Sequence, residues 1–184
     1  MTRVRPAVAL VALLAATLDS GLTVSAGQAD KSARPAAAPA VSRTTPHLTF
    51  TATLSPGVII AGQRMSIAVD VIPKKGMHVY APGGDYHAVA ITLARNSLLH
   101  VYDPVYPKPT LFTFKPLNEQ ALVYDAPFRL SVDITPGDTP AQRAALREKS
   151  QLVIKGQLDY QACDDTVCYL PKSVPFQWTA KVAR

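Results

Sequence analysis

The chain has 184 residues, two of them cysteine, and a formal net charge of +6. Half of that excess precedes residue 47, where Arg3, Arg5, Lys31, Arg34 and Arg43 face only Asp19 and Asp30, so the remainder carries +3. Such a balance favours solubility and lacks the clustered basic stripe that nucleic-acid binding needs, while residues 47–184 are the size of one domain with one core.

Residues 1–26 read as an export signal, with Arg3 and Arg5 as the positive start, Val8 to Leu18 as the apolar run and Val24-Ser25-Ala26 as a small-residue cleavage site. The run of about eleven residues is shorter than the about 20 that cross a bilayer, and no later segment approaches that length. The expectation is therefore a periplasmic protein with no membrane insertion after signal cleavage; an uncleaved amphipathic anchor is the alternative, against which Asp19 and Ser20 interrupt the run. Residues 27–46 are Ala, Pro, Ser and scattered charge with Val41 as the only large apolar side chain, and read as a flexible linker.

From His47 onward apolar and polar residues alternate. Strands are expected at Leu48 to Leu54, Met65 to Val71, Met77 to Tyr80, Val89 to Leu93, Ala121 to Tyr124, Phe128 to Ile134, Leu152 to Tyr160 and Val174 to Val182. Pro-Gly, Lys-Lys-Gly and Pro-Gly-Gly turns punctuate them. Thr139-Pro140-Ala141-Gln142 has the capping-box spacing with proline at the first helical position, so one short helix follows it. Many short strands, one short helix and no alternation of strand and helix argue for an all-β fold of two antiparallel sheets packed face to face, with a closed barrel as the alternative.

Cys163 and Cys168 close this pattern. In an exported chain two cysteines at that spacing can pair. As a staple the pair would contribute little, roughly 2 kcal/mol for so short a loop against nearly 5 for a loop of a hundred residues. The polar Asp164-Asp165-Thr166 between them favours a turn where a partner's thiol can reach a sulfur. The spacing alone leaves three readings open: redox work, a structural disulfide, and a metal site completed by His78, His87 or Met77. The histidines show no short pairing with each other or with the cysteines, so no metal and no cofactor is expected.

The stretch Tyr160-Gln161-Ala162-Cys163-Asp164-Asp165-Thr166-Val167-Cys168-Tyr169-Leu170-Pro171, together with Gly-Met-His-Val-Tyr-Ala-Pro-Gly at Gly76 to Gly83 and Val-Tyr-Pro-Lys-Pro at Val105 to Pro109, resembles the N-terminal periplasmic domain of the thiol:disulfide interchange protein DsbD. The likeness runs from about Leu48 to Val182. It implies an immunoglobulin-like β-sandwich and a thiol-disulfide oxidoreductase component whose dithiol passes electrons between a reductase and periplasmic substrate proteins. The second cysteine, here Cys168, would form the mixed disulfide with thioredoxin-like partners, and Cys163 would resolve it. The family's long form continues into a membrane domain and a thioredoxin-like domain, whereas this chain stops at Arg184, so a separate membrane or soluble electron donor is expected. A loop that caps the disulfide is also implied, and Tyr102, Val105, Tyr106 and Pro107 are the candidates, the proline-rich stretch standing where the family carries a phenylalanine-containing motif.

Around the pair, Asp164 and Asp165 either tune the thiols or solvate a turn, and Tyr160 and Tyr169 either form a partner surface or pack as strand residues. A non-catalytic β-sandwich binding module with a structural disulfide or metal site is the alternative function. The local sequence offers no helix N-terminus or metal to acidify a thiol, and its nearest cation is Lys172. Two carboxylates directly follow Cys163, so both thiols are expected to titrate at or above the free value of about 8.5.

Overall fold

Alternating burial organises the chain into strands of unequal length. The computed structural model describes residues 39–114 and 119–184; the expected export signal and residues 27–38 of the linker lie outside them. In order, the elements are β1 (Ala40–Thr44), β2 (Leu48–Ser55), β3 (Val58–Ile59), β4 (Met65–Pro73), β5 (His78–Tyr80), β6 (Ala90–Leu93) and β7 (Leu99–Val101). Then follow β8 (Thr110–Phe114), β9 (Glu119–Tyr124), β10 (Phe128–Pro136), α1 (Pro140–Arg147), β11 (Gln151–Tyr160), β12 (Ala162–Cys163) and β13 (Lys172–Val182).

Two sheets carry the core. One runs β1-β2-β4-β10-β7 and the other β3-β13-β11-β6, with every pairing antiparallel except β3 against β13. On β2 the residues Leu48, Phe50, Ala52 and Leu54 turn inward, and on β4 Met65, Ile67, Val69 and Val71 do the same. They meet Leu152, Ile154, Leu158 and Tyr160 of β11 and Phe176, Trp178 and Ala180 of β13 in one cluster. Phe50 and Phe176 cross between the sheets edge to face, ring centres 6.0 Å apart. Such burial is worth roughly 1.5–3 kcal/mol for each large side chain, so the sandwich holds together through its core. This is the immunoglobulin-like antiparallel sandwich expected from the sequence. Among the described residues no helix is long and apolar enough to cross a membrane.

The helix forms as its cap predicts. Thr139 accepts from the Gln142 amide at 3.3 Å, Gln142 Oε1 accepts from the Thr139 amide at 2.9 Å, and Leu146 is buried against the core.

The segment read as a linker ends earlier than expected, because Ala40–Thr44 pairs with β2 along its whole length. Val41 packs on the core, and cross-strand hydroxyl pairs join Ser42 to Thr51 at 2.8 Å and Thr44 to Thr49 at 3.3 Å. These are mostly small or polar residues that composition classes with disorder, and they are ordered by a partner strand.

A third, smaller sheet, β12-β5-β9-β8, sits at one end. The chain leaves β11 at Tyr160, the Gln161 carbonyl accepts from the Tyr80 amide at 3.2 Å, and β12 begins pairing with β5.

Where β11 is flanked by β13 and β6, side-chain space runs out at Gly156. A Cβ there would lie 2.7 Å from Phe176 Cε2 and 2.9 Å from Leu93 Cδ2, and the Phe176 ring is itself held between Phe50 and Trp178. Gly156→Ala should therefore destabilise the domain by roughly 1–3 kcal/mol. Urea denaturation measures this, and an unchanged midpoint would mean that the ring moves aside freely.

Candidate functional site

The two cysteines are brought together by a short loop that one carboxylate organises. Cys163 ends β12, paired with His78 of β5. The Asp164 amide then donates to the Val167 carbonyl, and the Tyr169 amide donates back to the Ala162 carbonyl, both at 2.9 Å. Asp164 Oδ1 accepts from the amides of Thr166 and Val167 and from the Thr166 hydroxyl at 2.7–2.8 Å, and Oδ2 accepts from the Tyr169 hydroxyl at 2.9 Å. These four donors, the Thr166 amide foremost, hold the Asp164 carboxyl well below the usual carboxylate range. Its contribution to loop order is therefore present above the unfolded pKa of about 4 and is lost only as pH falls through the depressed folded value. Cys168 is thereby set opposite Cys163, and the two form a disulfide.

The two sulfurs are not equivalent in their surroundings. Cys163 is 1% exposed, packed with Tyr80 and Val123, whereas Cys168 lies among the exposed loop residues Asp165 to Val167. Leu170, just beyond, is 84% exposed. The Tyr80 hydroxyl lies 3.1 Å from Cys163 Sγ and 3.3 Å from Cys168 Sγ. A disulfide sulfur carries no hydrogen, so the phenol is the donor.

Aromatic side chains line a cavity beside the pair. The Tyr80 ring stacks on Tyr86 with centres 4.1 Å apart and planes 5° from parallel, and the Tyr86 hydroxyl donates to Glu119 Oε2 at 2.7 Å. That bond to Glu119 is the main reason the Tyr86 phenol is pushed up to about 12. On the other side the His78 ring lies against Phe112 at 4.4 Å. Phe112 and Phe114, two apart on β8, line a cavity of about 80 Å³ together with both cysteines. Burial lowers the His78 pKa, opposed by Asp165, Asp125 and Asp164, so at neutral pH the imidazole supplies no cation to the thiols. No group of three or more His, Cys, Asp or Glu able to hold a metal occurs among the described residues.

Of the residues singled out from the sequence, Cys163, Cys168, Asp164 and Tyr169 come together, and Asp165 stands exposed on the loop. Tyr169 also packs on His47, ring centres 4.4 Å apart. Tyr160 offers no partner surface: it is fully buried in the main core, its hydroxyl donating to Thr45 Oγ1 at 2.9 Å.

The expected cap residues make contacts of their own. The Tyr102 hydroxyl bonds Thr135, Val105 bridges to Ser131, Tyr106 packs on the main core, and the Pro107 carbonyl accepts from Tyr124 at 2.8 Å. These contacts fasten residues 102–107 along β10 and β9, whereas Phe112, Phe114 and Tyr86 line the cavity that both cysteines border. Phe112 and Phe114 lie on a strand that is not among those expected from the sequence. Their two-residue spacing in Thr-Leu-Phe-Thr-Phe is the signal that would have found them. Tyr80 lies in the Gly76 to Gly83 motif without being singled out there, and Tyr86 and Glu119 carry no signal, since only folding brings them to the pair.

A family model described as "Thiol:disulfide interchange protein DsbD, N-terminal" matches residues 47–179. Among solved structures, the N-terminal periplasmic domain of ScsB from Proteus mirabilis is similar at 16% identity and a TM-score of 0.48, covering 76% of this chain and 49% of that one. The chain thus spans about half of that structure's length. The N-terminal domain of DsbD from Neisseria meningitidis in the reduced form is similar at 16% identity and a TM-score of 0.42, over 63% of this chain and 82% of that one. No curated protein sequence matches the chain.

If the aromatic cover excludes small thiols, removing part of it should expose the disulfide. Phe112→Ala should speed reduction by glutathione several-fold, whereas Val105→Ala, at a position 65% exposed beside β10, should leave it unchanged. Thiol labelling over time reads both, and equal rates for Phe112→Ala and the unaltered chain would show that β8 is no cover.

Proposed function

The chain belongs to the family of the N-terminal domain of the thiol:disulfide interchange protein DsbD, and from that membership we propose that it is a periplasmic thiol-disulfide exchange domain, working through Cys163 and Cys168. In this reading residues 1–26 export the chain, a linker follows, and the folded domain passes electrons between a reductase and thioredoxin-like periplasmic proteins.

The observation that carries the proposal is the unequal burial of the two cysteines. Thiol-disulfide exchange requires a thiolate to approach one sulfur in line with the bond it breaks, so access selects the sulfur attacked. Cys168 is exposed and Cys163 is 1% exposed. An incoming thiolate forms a bond to Cys168 Sγ, the bond between Cys168 and Cys163 breaks, and its electron pair leaves on Cys163 Sγ. Cys163, held alongside, attacks Cys168 Sγ in the reverse step and expels the partner's thiolate. Asp164 and Tyr169 keep the loop in the shape that allows both steps.

A staple is the weaker reading, since so short a loop stabilises by only roughly 2 kcal/mol and the sandwich core is independent of it. Exchange at Cys168 is tested by trapping. Cys163→Ala should accumulate a mixed disulfide with a thioredoxin-like protein through Cys168, read by mass spectrometry. Equal or greater accumulation by Cys168→Ala would reverse the assignment.

A further inference from the structure

Tyr80 is buried, 5% exposed, and the hydrogen-bond partners of its hydroxyl among the described residues are the two sulfurs. For filling space a phenylalanine would serve as well. The position of the hydroxyl is also firmly held: the ring lies flat on Tyr86, the Tyr80 amide donates to the Gln161 carbonyl at 3.2 Å, and its carbonyl accepts from the Val89 amide at 2.8 Å.

The exchange reading creates a need for such a donor. When Cys168 is attacked, negative charge develops on Cys163 Sγ, which is enclosed by Tyr80, Val123 and the aromatic cover. A thiolate expelled into such a site is costly unless a dipole is already aimed at it. The nearby charged groups do not help, because Asp164 and Asp165 are negative and burial holds His78 neutral. The Tyr80 hydroxyl, 3.1 Å from Cys163 Sγ, is the donor in place.

We propose that Tyr80 is a catalytic hydrogen-bond donor that stabilises the Cys163 thiolate as the disulfide opens. The attacking thiolate bonds to Cys168 Sγ, the electron pair of the broken bond passes to Cys163 Sγ, and the phenol keeps its proton while its hydrogen bond to that sulfur strengthens. Burial and the nearby Glu119 raise the Tyr80 pKa, so the phenol remains a donor across the physiological range. In the reverse direction the same bond lowers the pKa of the Cys163 thiol relative to a site without it.

This inference rests on the reading that the disulfide exchanges in the folded state, and one experiment separates the two. The oxidised full chain and its Tyr80→Phe variant are reduced with dithiothreitol at pH 7, quenched by alkylation, and followed in parallel by circular dichroism. Tyr80→Phe keeps the ring and should slow reduction by about ten-fold, as loss of a hydrogen bond to a charged group implies. A merely structural tyrosine would give the opposite sign, since a loosened cover admits the thiol faster. In a Cys168→Ser background, Tyr80→Phe should raise the pKa of the Cys163 thiol, read by thiolate absorbance. Should Tyr80→Phe not fold, 3,5-difluorotyrosine at position 80 keeps the ring and sharpens the donor, and should speed reduction at a pH where it remains protonated. Unchanged or faster reduction in folded Tyr80→Phe, an unchanged Cys163 pKa, or no response to fluorination would overturn the role of Tyr80 alone. Reduction of the unaltered chain only as its circular dichroism is lost would overturn the exchange reading itself.

Discussion

Ala162 and Cys163 pair with Val79 and His78, and this two-residue ladder determines what the site can be. It draws the chain out of the sandwich sheet just after Tyr160, buries the first sulfur against Tyr80 and Val123, and leaves the next residues with no strand to join. Those residues must turn back in a short loop, and Asp164 supplies the acceptors that let them do so. One cysteine inside and one outside is the geometric result. In the proposed exchange that inequality directs the incoming thiolate to one sulfur, because access helps decide which sulfur is attacked.

The electrostatics follow from the same placement. A loop organised by a carboxylate brings negative charge beside the thiols, and the imidazole nearest to them is held neutral by burial. Neither a helix terminus nor a metal offsets this, so the reduced pair lacks the features that acidify reactive cysteines elsewhere. Selectivity then rests on access and on local donors. In the proposed exchange Phe112, Phe114 and Tyr86, which line the cavity beside the sulfurs, limit the first, and Tyr80 is positioned for the second.

Much of the sandwich was legible because its strands bury every second residue: Met65, Ile67, Val69 and Val71 announce β4 as plainly as Val174, Phe176 and Trp178 announce β13. The helix was legible from its cap alone. Tyr160 is in phase with Leu152, Ile154 and Leu158, so its burial was available from the same parity, and its nearness to Cys163 in sequence pointed the other way. The strands that went unread are those whose order comes from a partner. β1 is a short run of mostly small or polar residues zipped to β2, and β8 has no fully buried side chain, its inward face being two half-buried phenylalanines that line the cavity beside the cysteines. Residues 105–109 were expected as a cap loop by resemblance alone, and a bridge to Ser131 and a hydrogen bond from Tyr124 are contacts that their proline-rich sequence did not announce.

The central claim, that one sulfur is inside and one outside a fold that does not need their bond, is tested most directly by alkylation of the reduced chain. Iodoacetamide labelling of each cysteine, resolved by mass spectrometry and normalised to its rate in urea, measures protection in the native state. The domain should stay folded on reduction, and Cys163 should be protected more than Cys168 by at least on the order of tenfold. Equal protection of the two, or loss of the native circular dichroism on reduction, would contradict it.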